Sequence, residues 1–270
     1  MSEENQKATA EIVKHAAEHD LLSICVAQVR HKNDLVIRMN PDLTGRLTNI
    51  DFDLWSREDI AKIAHGFQLL NIEVSNSIVD AFATESGGSP QIMQSICLSA
   101  CIKNKSLTVS KEKIQFHAKN IDISTVISSC IEAIDRDRLV TRLEAGPPTH
   151  GTDRLSFEMI DGTTLDVYGC ILAAIALNPP WLEIKKSQLI DRVGFLTKSD
   201  SPNTSSILRS LTHMQAIAQK YDNFNDYIEW DDDKGLQILD PYLLFYIRWI
   251  MKFRSIRELY ELNLSKKNAI

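Results

Sequence analysis

Near the end of this 270-residue chain, two short alternating runs, Tyr227-Ile228-Glu229-Trp230 and Leu236-Gln237-Ile238-Leu239, flank the turn Asp231-Asp232-Asp233-Lys234-Gly235. Alternation at period two around an acidic, glycine-ended turn predicts a β-hairpin. Its setting constrains the fold most, because three helical stretches come directly before it. Leu165 to Leu177 is an apolar helix stopped by Asn178-Pro179-Pro180, and Ile184 to Val193 is a second helix. A third runs from Asn203 or Thr204 to Lys220, after Ser199-Asp200-Ser201-Pro202. Asp240-Pro241 then opens an aromatic helix from Tyr242 to Phe253.

Upstream, Gly146-Pro147-Pro148-Thr149-His150-Gly151 is the clearest break in the chain. Before it, residues 5–19 suit a helix with a modest stripe of Ile12, Val13 and Ala16. Leu21 to Ala27 reads as a short buried strand, with a helix core as the competing reading, and Ile50 to Leu54 alternates like a half-buried strand. Ser56-Arg57-Glu58-Asp59 has the form of a capping box, and Ile60, Ile63, Ala64 and Phe67 continue it at helical spacing. A second helix begins at Ser75 and Gly87-Gly88 ends it. Ser89-Pro90 starts a third that carries Ile92, Met93, Ile96, Cys97 and Ala100. Residues 103–120 are polar and basic, with an ordered piece around Ile114 to Phe116, and Ile123 to Leu143 is amphipathic as one helix.

Composition sets the class. Hydrophobic residues make up 44% and charged residues 24%, with only 10 Gly and 8 Pro, so the expectation is a helix-rich globular protein, mainly α with minor β. A net charge of −6 gives no bulk attraction to phosphate, so contact with nucleic acid requires a local basic surface. The five cysteines, Cys25, Cys97, Cys101, Cys130 and Cys170, sit irregularly in apolar runs, as reduced cytosolic thiols do. Without an apolar run of about 18 residues there is no bilayer-spanning helix, and the polar N-terminus lacks a secretory signal. A cytoplasmic protein without a membrane partner is expected.

The stretch from Leu21 to Ile102 resembles the last part of an AAA+ ATPase core of the origin-recognition-like or archaeal-ATPase type. The likeness rests on the apolar strand Leu21–Ala27, the turn from Pro41 to Gly45-Arg46-Leu47, the run Leu54–Ile60, and Gly88-Ser89-Pro90. Three helices followed by a hairpin is the order of a winged helix. Ile238-Leu239-Asp240-Pro241 and the aromatic helix through Phe245-Tyr246-Ile247-Arg248-Trp249 are similar to the ending of winged-helix domains that follow such cores. The resemblance implies four segments. Residues 1–55 are the end of an α/β P-loop core, 56–104 a helical lid, 105–151 a connector with an amphipathic helix, and 152–270 a C-terminal winged-helix domain.

In such ATPases a glycine-rich loop and its Lys hold the phosphates, an acidic strand end holds Mg²⁺, and an Arg neutralises charge on the transferring phosphoryl group. Neither a G-x-x-x-x-G-K-[ST] loop nor the acidic strand end is found in these 270 residues. The resemblance assigns the arginine finger to Arg46, for which a surface Arg paired with Asp42 or Asp51 is the competing reading. Gln28 falls where the family senses the terminal phosphate, and a solvated strand end explains it equally well. Gln91 stands where the family often has an Arg, which leaves Ser89, Pro90 and Gln91 to backbone geometry. ATP and Mg²⁺ are therefore expected only with a P-loop half that precedes Met1, and no cofactor is expected for the chain alone. The implied partners are that half or neighbouring ATPase subunits, and DNA or protein at the winged helix. The groove-reading positions are Thr204, Ser206, Arg209 and His213. With Arg209 the only firm cation before Lys220, beside an acidic hairpin, a protein partner is at least as well supported as DNA. The alternative is a free-standing winged-helix adaptor.

His15-Ala16-Ala17-Glu18-His19 matches the H-x-x-E-H zinc pattern, but a third ligand is not evident and the helix lies at a polar terminus, so no metal is assigned. Cys97 and Cys101 read as packing, the aspartates at the hairpin tip as a solvated turn, and Trp230, Tyr242, Phe245, Tyr246 and Trp249 as core.

Overall fold

A computed structural model describes residues 3–18, 55–117, 119–132, 134–149, 151, 153–198, 200–221 and 227–253. The chain divides into two compact units, Met1–Leu54 and Trp55–Ile270. With 59% helix against 12% strand, the protein is mainly α with minor β. In the first unit the described element is α1 (Glu3–Glu18). The strands expected at Leu21–Ala27 and Ile50–Leu54 lie outside the described residues.

The second unit opens with α2 (Arg57–Lys62). The Ser56 hydroxyl accepts the Asp59 N–H at 3.1 Å and donates to its carboxylate at 2.7 Å, which fixes the first turn. A single α-helix through Phe67 was expected. Instead the chain tightens into a 3₁₀ helix, Ile63–Leu70. Three residues per turn put Ala64 and Phe67 on one side, and both are buried. Strand β1 (Ile72–Val74) follows and pairs in parallel with β2 (Ile114–Phe116). The segment at Ile114 is legible from sequence, whereas its three-residue partner is too short to show alternation.

Helices α3 (Asn76–Glu85) and α4 (Pro90–Lys103) are joined through Gly87 and Gly88, at φ 57° and 84°, a left-handed turn open to glycine at little cost. Where one long helix was expected from Ile123 to Leu143, there are two, α5 (Ile123–Glu132) and α6 (Asp137–Ala145). Arg136 stands at the break, and its Nε donates to Asp240 at 2.7 Å, a partner far along the chain.

A hairpin of β3 (Ser156–Glu158) and β4 (Thr164–Asp166) comes next. Helix α7 (Val167–Ala176) starts two residues later than its apolar run suggests, because Asp166 ends β4 and caps the helix. Its Oδ1 accepts the N–H groups of Tyr168 at 2.9 Å and Gly169 at 3.0 Å. Every residue of α7 is buried. Strand β5 (Glu183–Ile184), helices α8 (Lys186–Leu196) and α9 (Thr204–Tyr221), and strands β6 (Ile228–Asp231) and β7 (Gly235–Ile238) complete this block. The sheet order is β5-β7-β6, antiparallel throughout. Gly235 is required by close approach as well as by its φ of 93°, since a Cβ there would lie 2.4 Å from the Ile184 carbonyl oxygen.

Two cores organise the unit. One gathers Phe67, Phe82, Met93, Ile96 and Ile127, and the other surrounds α7. The stretch 105–151 is divided between them. Phe116, Val126 and Ile127 enter the first core, and Leu139, Val140 and Leu143 the second. Helix α10 (Pro241–Phe253) serves both cores. Phe245 and Trp249 pack into the first, and Leu243, Leu244, Ile247 and Met251 into the second. The aromatic core expected around this helix is present, with Phe245, Tyr246 and Trp249 buried and Trp230 and Tyr242 half-buried.

Candidate functional site

The turn between α3 and α4 is held from several directions. Glu85, the last residue of α3, is 6% exposed. The Ser86 hydroxyl donates to the Ala83 carbonyl at 2.8 Å, and the Ser89 N–H donates to the Ser86 carbonyl at 3.0 Å. The Gly88 carbonyl accepts the Trp55 N–H at 3.2 Å. Ser89 is buried and caps α4 through its hydroxyl, which accepts the Ile92 N–H at 3.4 Å. Gln91, in the first turn of α4, is exposed. The turn therefore presents the positive end of a helix and one free-standing amide side chain to solvent. Ser89 and Gln91 share this turn, while Gln28 and Arg46, read as phosphate sensor and arginine finger, lie outside the described residues.

Immediately beneath the turn is a buried polar junction. The Glu85 carboxylate lies 3.5 Å from Nη2 of Arg248 and accepts the Trp249 indole N–H at 3.1 Å. Arg248 is fully buried. Its Nη1 donates to the carbonyls of Ala176 at 2.9 Å and Leu177 at 3.1 Å, and its Nη2 to Asn178 Oδ1 at 2.8 Å. A second buried guanidinium, Arg192, donates to Ala174 at 3.2 Å and to Pro179 at 2.8 Å and stacks 4.1 Å over the Trp181 ring. Two arginines thus cap the C-terminus of α7, where orphan carbonyls and the negative end of the helix dipole attract them. Arg192 was not singled out in the sequence, and Arg248 entered only as part of the aromatic ending, with no role assigned. A charged residue between Ile247 and Trp249 in an otherwise apolar helix was the available signal for Arg248.

A groove of about 700 Å³ lies beside β1, lined by Glu58, Lys62, His65, Asn71, Glu73, Asp80 and Lys113 among others. Its lysines are engaged in surface ion pairs, Lys62 with Asp59 at 2.6 Å and Lys113 with Glu73 at 3.0 Å. These partners hold the Asp59 and Glu73 carboxyls below the usual range.

On the C-terminal block, Thr204 and Arg209 are exposed on α9, and Ser206 is half-buried with its N–H donated to Asn203 Oδ1 at 2.8 Å. His213 is half-buried and faces the second core, with Nδ1 2.9 Å from the Tyr168 hydroxyl. The outward surface of α9 therefore rests on Thr204 and Arg209 more than on His213. At the hairpin tip, Asp231 Oδ1 accepts the N–H groups of Asp233 and Lys234, each at 2.9 Å, and these bonds lower the carboxyl's pKa. Asp232 pairs with Lys186 at 3.2 Å.

His15 is exposed on α1, and His19 lies outside the described residues. Among the described residues, no three His, Cys, Asp or Glu side chains gather as metal ligands do, and no helix is long and apolar enough to cross a membrane. Burial pushes the thiols of Cys97 and Cys170 up to about 12, which suppresses thiolate chemistry. No family model, curated protein or solved structure matches the chain.

Proposed function

We propose that this chain supplies the helical lid and a partner-docking winged helix of an AAA+ type ATPase, with the nucleotide's phosphate loop contributed by residues other than these 270. The observation that carries the winged-helix part is the chain order α7-β5-α8-α9-β6-β7 folded into a sheet of order β5-β7-β6. That is the path of a three-helix reader with a β-ribbon wing. The lid part is supported by helices joined through a glycine turn into the Ser89-capped start of α4, together with the sequence resemblance around Arg46 and Gly88-Ser89-Pro90. In this reading Arg46 acts as the finger and Gln28 as the phosphate sensor, and ATP with Mg²⁺ binds only when the P-loop half is present.

The docking surface is α9 with the wing. Its exposed side chains include Arg209 amid Thr204, Ser205 and Thr212, Lys220 in the last turn of α9, and three aspartates with Lys234 at the tip. Phosphate contacts dominate DNA affinity, so this charge pattern favours a protein partner. The purified chain is expected to show no MgATP turnover. It should bind duplex DNA no tighter than the non-specific range, about 10⁻⁴ to 10⁻⁶ M at physiological salt. ATP hydrolysis by the 270 residues overturns the ATPase part. Tight, sequence-selective DNA binding lost in Arg209→Ala overturns the choice of partner. The free-standing adaptor draws support from the two well-filled cores of the Trp55–Ile270 unit, and it predicts that no P-loop protein associates with the chain.

A further inference from the structure

We infer that Glu85 is a coupling residue: through Arg248 and Trp249 it makes the glycine turn before α4 and the α7-to-wing block move as one body. The inference concerns the described second unit alone and stands whether or not the ATPase reading holds. Arg248 draws its polar partners from both sides of the junction. Ala176, Leu177 and Asn178 belong to the end of α7, and Glu85 belongs to the end of α3. Both side chains are nearly sealed from water, at 1% and 7% exposure. Removing either partner leaves the other charge buried without its counter-ion, a strongly unfavourable state, so the pair holds the two sides together. Trp249 adds a second tie to the same carboxylate, and together with Phe245 it is buried in the first core, while Ile247 and Met251 of the same helix fill the second.

The turn itself abuts this junction. A Cβ at Gly87 would lie 3.8 Å from Leu244 and 3.9 Å from Pro180, so the backbone there already rests on the C-terminal block. Just before α10, Asp240 pairs with Arg136, and within the helix the Tyr246 hydroxyl donates to Asp137 at 3.1 Å. A ligand or partner that displaces the Ser89–Gln91 segment therefore displaces α9 and the wing with it. The glycine turn does not act as an independent hinge.

Native-state hydrogen exchange on the full 270-residue chain tests this with two substitutions. Leu211→Ala deletes a fully buried side chain from the second core only. In the wild-type background it is expected to speed the slowest amides of α4 and α7 by the same factor, on the order of a hundredfold, as Leu→Ala losses imply. Glu85→Gln keeps the volume and an acceptor for the Trp249 indole. In that background the response of α7 to Leu211→Ala should persist, while that of α4 falls below about tenfold. If Leu211→Ala prevents folding, Ile207→Val makes a smaller deletion in the same core, with the same comparison at a smaller factor. The inference is overturned if α4 ignores the core deletion in the wild-type background, or if Glu85→Gln leaves the shared response intact.

Discussion

Helices α4 and α7 end in opposite ways. The last turn of α4 reaches the surface, and its capping is local: both the backbone N–H and the side-chain Nδ2 of Asn104 donate to the Ala100 carbonyl, at 3.2 and 2.8 Å. Helix α7 ends in the interior, where water cannot reach its carbonyls, and imports two guanidinium groups from α8 and α10. The surface helix end is a matter of the five consecutive residues Ala100 to Asn104. A buried one binds together segments 15 and 71 residues away, as the Arg192 and Arg248 bonds to Leu177 do.

The largest expected effect lies at the buried end. Arg248→Met leaves Glu85 without its cation and uncovers the α7 carbonyls, and should cost about 3–5 kcal/mol, read from the urea midpoint at unchanged m. Arg192→Ala removes the charge-assisted bonds to the Ala174 and Pro179 carbonyls, so about 1.5–3 kcal/mol is expected from the same measurement.

Alkaline pH probes the brace beside α10. Burial, then the bond and charge of Asp137, push the Tyr246 hydroxyl up to about 12. An unfolded tyrosine titrates near about 10. Because the folded value is the raised one, the contribution of Tyr246 is complete below about pH 10 and is lost as pH rises toward about 12. Unfolding free energy measured across that range should fall, and Tyr246→Phe should flatten the fall.

At the other end of α7, Asp166→Ala removes the cap and the 3.0 Å partner of Arg154, for about 1–2 kcal/mol. The smallest effect is at the exposed terminus. Asn104→Ala should change stability by less than about 1 kcal/mol, since water replaces the lost donor. A cost at Asn104 equal to that at Arg248 would break the comparison.

The same contrast explains what the sequence discloses. Locally determined features were legible: the Ser89-Pro90 restart of α4, the Asn178-Pro179-Pro180 stop of α7 and the hairpin turn at Asp231–Gly235 are each written in adjacent residues. The break at Arg136 was not, and the ion-pair partner that Arg136 meets there, Asp240, lies 104 positions away. Strands β1, β3, β4 and β5 were missed for a related reason. With two or three residues apiece they carry no period, and pairing alone defines them. At the candidate site, Ser89 and Gln91 could be placed from the Gly-x-Pro pattern. The Glu85–Arg248 junction could not, since it is made by residues 163 positions apart that only the packing of α10 between two cores brings together.

Whether one buried ion pair binds the interior end of α7 to both cores is decided by a double-mutant cycle on unfolding free energy with Glu85→Gln and Arg248→Met. A coupling of about 1–3 kcal/mol is predicted, with the double variant less impaired than the sum of the singles. Additivity to within about 0.5 kcal/mol would contradict it, and would mean that the two side chains are buried side by side without holding the cores together.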